Sequence, residues 1–137
     1  MRGQSTLLLF LAMSLMGCGK IRDTHACRAA AQAINPAFDE IEVMSKTPGI
    51  ETHLRIAKRY EQLAARLGPL TPAEGSVSVA LREYTTLIQA TGASVRAHAE
   101  AAHAGQTSRV TEARRELDRI VRREKTAANR LAAECRS

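Results

Sequence analysis

From about residue 24 to the C-terminus, apolar residues recur at intervals of three and four, and nowhere alternate over a useful length. That spacing lines one face of an α-helix at 3.6 residues per turn and leaves no β-strand to build a sheet. Four segments carry the pattern, each bounded by proline or glycine. The first runs from about Thr24 to Ser45, with Cys27, Ala30, Ile34, Ala37, Ile41 and Met44 on one face. Asn35-Pro36 falls inside it and predicts a kink or short break, because proline removes a hydrogen bond and crowds the preceding turn. The second opens at Thr47-Pro48, a capping residue followed by proline at the first helical position. It carries Ile56, Tyr60, Leu63 and Leu67, and Gly68-Pro69 stops it. The third opens on Thr71-Pro72-Ala73-Glu74, which reads as a capping box. Its stripe is Val77, Leu81, Tyr84, Ile88, Thr91, Val95, His98 and Ala102, ended by Gly105. The fourth begins near Thr107 or Ser108 and reaches about Cys135, with Leu117, Ile120, Val121, Ala128 and Leu131 as its apolar face and Glu124 interrupting it. Short connections make consecutive helices antiparallel. The expected fold is therefore all-α: an up-down-up-down four-helix bundle over residues 23–137, with helices 3 and 4 longer than 1 and 2.

The first 17 residues have a different character. Arg2 supplies a positive start, and Leu7 to Met16 is an uncharged, mostly apolar run. It is shorter than the roughly 20 residues a bilayer span requires, and it fits the core of an export signal. It closes on Leu15-Met16-Gly17-Cys18. This box resembles that of bacterial lipoprotein precursors: an aliphatic residue, two smaller ones, then the modified cysteine. Met16 is larger than is usual at its place. The resemblance implies that residues 1–17 are a removed signal peptide. It implies further that Cys18 carries diacylglycerol and fatty acyl chains such as palmitate, and that residues 18–22 are a short tether to a membrane. Gly19-Lys20 follows the cysteine, without the aspartate that commonly retains such proteins at the inner membrane. The implied location is the cell envelope, at the outer membrane facing the periplasm.

Cysteine arithmetic agrees with the lipid. The chain has three cysteines, Cys18, Cys27 and Cys135, and an odd number in an exported protein leaves one over. With Cys18 acylated, Cys27 and Cys135 remain to pair in an oxidising compartment. An even number of antiparallel helices also brings the start of helix 1 and the end of helix 4 to the same end of the bundle, where the two thiols meet.

No catalytic constellation stands out. His98 and His103 are five residues apart and diverge on a helix, whereas a helical metal pair sits three or four apart. Glu100-Ala101-Ala102-His103 matches one half of a di-iron bundle motif, but the second half and its extra glutamates have no counterpart. There is no Cys-x-x-Cys-His haem attachment, no Gly-x-Ser-x-Gly turn and no glycine-rich phosphate loop. Asp39, Glu40 and Glu42 read as solvated helix surface. No metal site or cofactor is expected.

Charge is the remaining signal. All 14 acidic residues and 19 of the 20 basic ones follow position 17, a balance of +5. Helix 4 alone carries Arg109, Arg114, Arg115, Arg119, Arg122, Arg123, Lys125 and Arg130, interleaved with Glu112, Glu116, Asp118 and Glu124. Such a face is either solvated and laced with weak i,i+3 and i,i+4 pairs, or a surface for acidic partners. Nucleic acid is an unsuitable partner, since stacking aromatics are missing and the compartment is wrong. The extra length of helices 3 and 4 predicts a two-helix tip from about Ala93 to Leu117, pointing away from the membrane. Arg96, His98, His103, Arg109, Arg114 and Arg115 on that tip are the expected partner-binding residues, with an acidic envelope protein or polymer as the partner. Together these features point to a lipid-anchored, non-catalytic scaffold or adaptor. The alternative is a four-helix bundle that binds a small ligand, a metal or haem.

Overall fold

The computed structural model describes residues 18–137, so the expected signal peptide, with Leu15-Met16-Gly17, lies outside the described residues. Those described form an all-α bundle of four helices: α1 (Cys18–Ser45), α2 (Ile50–Leu67), α3 (Ser76–His103) and α4 (Thr107–Arg136). A single 3-10 turn at Gly68–Leu70 follows α2. Consecutive helices run antiparallel, and α3 is central, packing along its length on both α2 and α4. Helices α3 and α4 are the long pair, and α1 reaches the length of α3 only because it extends back to Cys18. Residues 18–22, expected as a tether, are thus the first turn of α1.

The apolar stripes meet inside. Cys27, Ala30, Ile34, Leu63, Leu67, Leu81, Ile88, Ile120 and Leu131 belong to one buried cluster. A smaller one holds Ile41, Ile56, Ala57 and Val95, with Met44 and Leu117 packed against it. Leu63, Leu67, Leu81 and Ile88 are almost completely enclosed; truncating any of them to alanine costs about 2–5 kcal/mol. Helix α1 packs on α2 but meets α4 only slightly. There the Cys27–Cys135 disulfide joins them, with Cα atoms 5.9 Å apart. Arg–Glu pairs stitch each consecutive pair of helices from outside: Arg59–Glu40 at 2.6 Å, Arg96–Glu61 at 2.8 Å and Arg130–Glu83 at 2.5 Å. All three are partly exposed, and exposed pairs contribute roughly 0–1 kcal/mol each.

Several helix ends differ from the sequence reading. Pro36 does not break α1, which is continuous across it. Pro36 and Gln32, whose backbone carbonyl loses its donor, are both exposed, so water can satisfy that group. Helix α2 starts at Ile50, not after Thr47. Gly49 takes a φ of 132°, and its carbonyl accepts both the His53 backbone N–H at 3.2 Å and the ring Nδ1 at 2.7 Å. The capping box at Thr71 does not form either. Thr71 ends the 3-10 turn, and its hydroxyl donates backwards to Leu67 O at 3.3 Å. Helix α3 begins after Gly75, and the Ser78 hydroxyl reaches back to Pro72 O at 2.7 Å. At the other end of α3 the glycine stop holds. Gly105 has a φ of 68°, Gly105 N–H donates to Ala102 O and Gln106 N–H to Ala101 O, the two bonds of a Schellman motif.

Gly92 does not bend α3. A Cβ there would lie 3.0 Å from Tyr60 Cβ and 3.2 Å from Ala57 O, so glycine lets α2 press against α3 backbone to backbone.

Candidate functional site

The expected two-helix tip is not where the extra length of α3 lies. Helix α2 runs beside α3 almost to its end: Arg96 on α3 grips Glu61 on α2 through two bonds of 2.8 and 2.9 Å, and the His98 ring stands 5.7 Å from His53. Counting outward from the contact of Tyr60 with Gly92 puts Leu67 opposite about Thr85, so α3 outruns α2 at the disulfide end. On the far side α4 is thinly covered: no residue from Thr107 to Arg119 is buried, though Leu117 packs against the smaller cluster.

The six residues expected at the tip accordingly separate. Arg96 is committed to Glu61, which is itself held below the usual carboxylate range by that hydrogen bond. His98 is half-buried, and its pKa is lowered by burial, then by His53 and by Arg114. Arg114 therefore lies near His53 and His98. His103 is exposed at the end of α3. Arg109 and Arg115 lie elsewhere, in an open groove of about 890 Å³ between α3 and α4.

That groove is open and draws on residues of both helices. On the α3 side it is lined by Ser94, Ala97, Ala101 and Ala104, spaced at three and four and small enough to leave room. On the α4 side stand Arg109, Arg115, Arg119 and Arg122, with Glu112 and Glu116 among them. Arg119 bonds Glu116, and Arg109 donates to Gln106 Oε1 at 3.3 Å. The Arg96 guanidinium pKa is raised first by its hydrogen bond to Glu61 and only last by Glu100, the third acid of the lining. Among the described residues, no carboxylate stands at salt-bridge distance from Arg115 or Arg122, and the four arginines of the lining outnumber its three carboxylates by one, over an alanine floor. Arg119 and Arg122 were not among the expected partner-binding residues. Their signal was present: Arg115, Arg119 and Arg122 fall at i, i+4 and i+7, one stripe of α4.

A second feature lies deeper. Glu124 does not interrupt the stripe of α4; it continues it, between Ile120 and Ala127, and turns into the bundle. Val121, expected in the core, is instead 46% exposed. The Thr91 hydroxyl lies 3.4 Å from Glu124 Oε2 and 2.8 Å from Leu87 O. One hydroxyl proton cannot serve both, and the shorter bond claims it. A protonated Glu124 can then donate to Thr91. Burial pushes the Glu124 carboxyl up from its ordinary 4.5 to about 7. Tyr60 and Tyr84 flank it, and both phenols are raised, by burial first and then by Glu124.

No family model, curated protein or solved structure matches this chain. Among the described residues, no group of three His, Cys, Asp or Glu is placed to hold a metal ion, and no helix is long and apolar enough to cross a membrane.

Proposed function

We propose that this chain is a lipoprotein of the bacterial cell envelope, anchored through Cys18, whose helical domain is a non-catalytic scaffold or adaptor for an acidic partner. The outer membrane, periplasmic face, is the proposed location. The Leu15-Met16-Gly17-Cys18 box supports the anchor, and the oxidised Cys27–Cys135 pair fits an exported domain. The observation that carries the partner reading is the α3–α4 groove, an alanine floor under Arg109, Arg115, Arg119 and Arg122. Small floor residues allow a helix or an extended acidic segment to come close, and arginine forks match carboxylate and phosphate geometry. His98, His103, Arg96 and Arg114 fall outside the lining of this groove.

The test is capture from envelope extract by the wild-type chain and by an Arg115→Glu/Arg122→Glu variant. Capture of a defined acidic component that the variant loses, with helical circular dichroism unchanged, is the expected result. Capture that survives charge reversal overturns the groove as the partner site. A second reading, small-ligand binding, draws on the same volume, which lies within the range of ligand pockets. It requires saturable binding of a small anion by the chain alone, again lost with Arg115 and Arg122.

A further inference from the structure

A different surface carries a second prediction of contact. Beyond the disulfide, α1 continues toward its N-terminus past the end of α4, with Asp23 and Thr24 half-buried and Ala26 buried. Cys27 is bonded to Cys135, and α4 ends one residue later at Arg136. The stretch before Cys27 thus extends by about two helical turns, at 1.5 Å per residue. Its outer side is not polar throughout. Ile21 is 53% exposed, with His25 and Arg28 at i+4 and i+7 on the same stripe, both exposed. Lys20 and Arg22, also exposed, flank that stripe on either side. The one acid in this stretch, Asp23, lies on the opposite side of the helix by register and is half-buried. An exposed isoleucine collared by three permanent cations, with no carboxylate on that side, has the pattern of a surface that seats on anionic headgroups: apolar residue into the interface, cations at the phosphates.

We infer that Ile21, Lys20, Arg22 and Arg28 form a membrane-contact face that seats the anchored end of α1 on anionic phospholipid. The orientation rests on the lipid-anchor reading, because Cys18 is the first residue of this helix. With no loop between that residue and the disulfide-braced bundle, such a seat would set the angle at which the α3–α4 groove is presented.

The test uses the chain from residue 18 onward with Cys18→Ser, so that no acyl chain masks the weaker contact. The buried core and the disulfide begin at Ala26 and Cys27, so this chain keeps the fold. Binding is measured by co-sedimentation at low salt, with vesicles of phosphatidylcholine alone and with phosphatidylglycerol added. The chain should bind the anionic vesicles only. Each surface cation contributes about fivefold, so Lys20→Ala/Arg22→Ala/Arg28→Ala should weaken binding about a hundredfold. Lys46→Ala/Arg55→Ala/Lys58→Ala, which removes the same charge from exposed positions elsewhere, should leave it nearly unchanged. Equal binding to neutral and anionic vesicles overturns the inference, as does a loss as large with this triple as with the α1 triple. Failure of the lipid-anchor reading would appear separately, as an unmodified Cys18 in protein taken from cells, without altering the vesicle result.

Discussion

Replacing Glu124 with glutamine should make the bundle more stable as pH rises above about 5, with nearly the full gain at neutral and alkaline pH. Unfolded, this carboxyl titrates near 4.5; folded, it titrates at about 7 because burial disfavours the charge. Between those values the folded state holds a proton that the unfolded state has lost. Stability is therefore full below about 4.5 and falls as pH rises through 7. At about 1.4 kcal/mol for each tenfold change in acidity, the gap corresponds to about 3 kcal/mol, reduced to about 2–3 by the partial exposure of the side chain. Glutamine keeps the size, cannot ionise, and retains an N–H that can donate to Thr91 Oγ1, whose own proton goes to Leu87 O at 2.8 Å. Thermal unfolding by circular dichroism, from pH 4.5 to 9, should show the two proteins nearly equal at the acid end. At pH 8 to 9 the variant should melt about 10 °C higher, at roughly 4 °C per kcal/mol for a domain of this size. His98, with its lowered pKa, acts with the opposite sign: its contribution is present above about 6.5 and is lost as pH falls. It is common to both proteins and cancels in the difference. A difference that stays flat across the range, or a variant less stable at pH 8, would refute the reasoning.

Other consequences are simpler to state. Removing the disulfide with Cys27→Ala/Cys135→Ala should destabilise the bundle by about 4–5 kcal/mol, the chain-entropy value for a cross-link spanning 108 residues; denaturant titration measures it, and an unchanged midpoint would contradict it. Gly92→Ala should destabilise by about 1–2 kcal/mol despite alanine's better helix propensity, because its Cβ meets Tyr60 Cβ at 3.0 Å. The same substitution would stabilise an open site, so the sign of the change in melting temperature is the readout.

The fold was legible because its information is periodic. Stripes such as Leu81–Tyr84–Ile88–Thr91–Val95 need no knowledge of partners to be recognised as a buried face. The two cysteines, near opposite ends of a chain with an even number of antiparallel helices, fix which ends meet. Local signals at helix starts were less dependable, since each competes with tertiary alternatives. Thr71 could cap a helix that follows it or close the turn that precedes it, and packing of the 3-10 turn selects the second. Gly92 is ambiguous for the same reason: a glycine in a stripe marks either a bend or a close approach, and only the position of Tyr60 decides. Glu124 reads as an interruption because charge is expected outside. Its spacing between Ile120 and Ala127 nonetheless placed it on the inner face, and the burial that raises its pKa follows from that spacing. The tip was misplaced because helix lengths alone do not say at which end the longer helix overhangs; the reach of α2 to His53 beside His98 does. The groove combines residues of two helices whose register no single-helix pattern specifies, although its arginine stripe on α4 was visible.

The lipid anchor is the claim on which compartment, orientation and partner class all depend, and intact-mass and peptide mass spectrometry of the protein extracted from bacterial membranes tests it most directly. The account predicts a mature chain that begins at Cys18, with the added mass of a diacylglycerol thioether on that residue and no free thiol at Cys27 or Cys135. A chain that retains residues 1–17, or one that begins elsewhere with Cys18 unmodified, would contradict it.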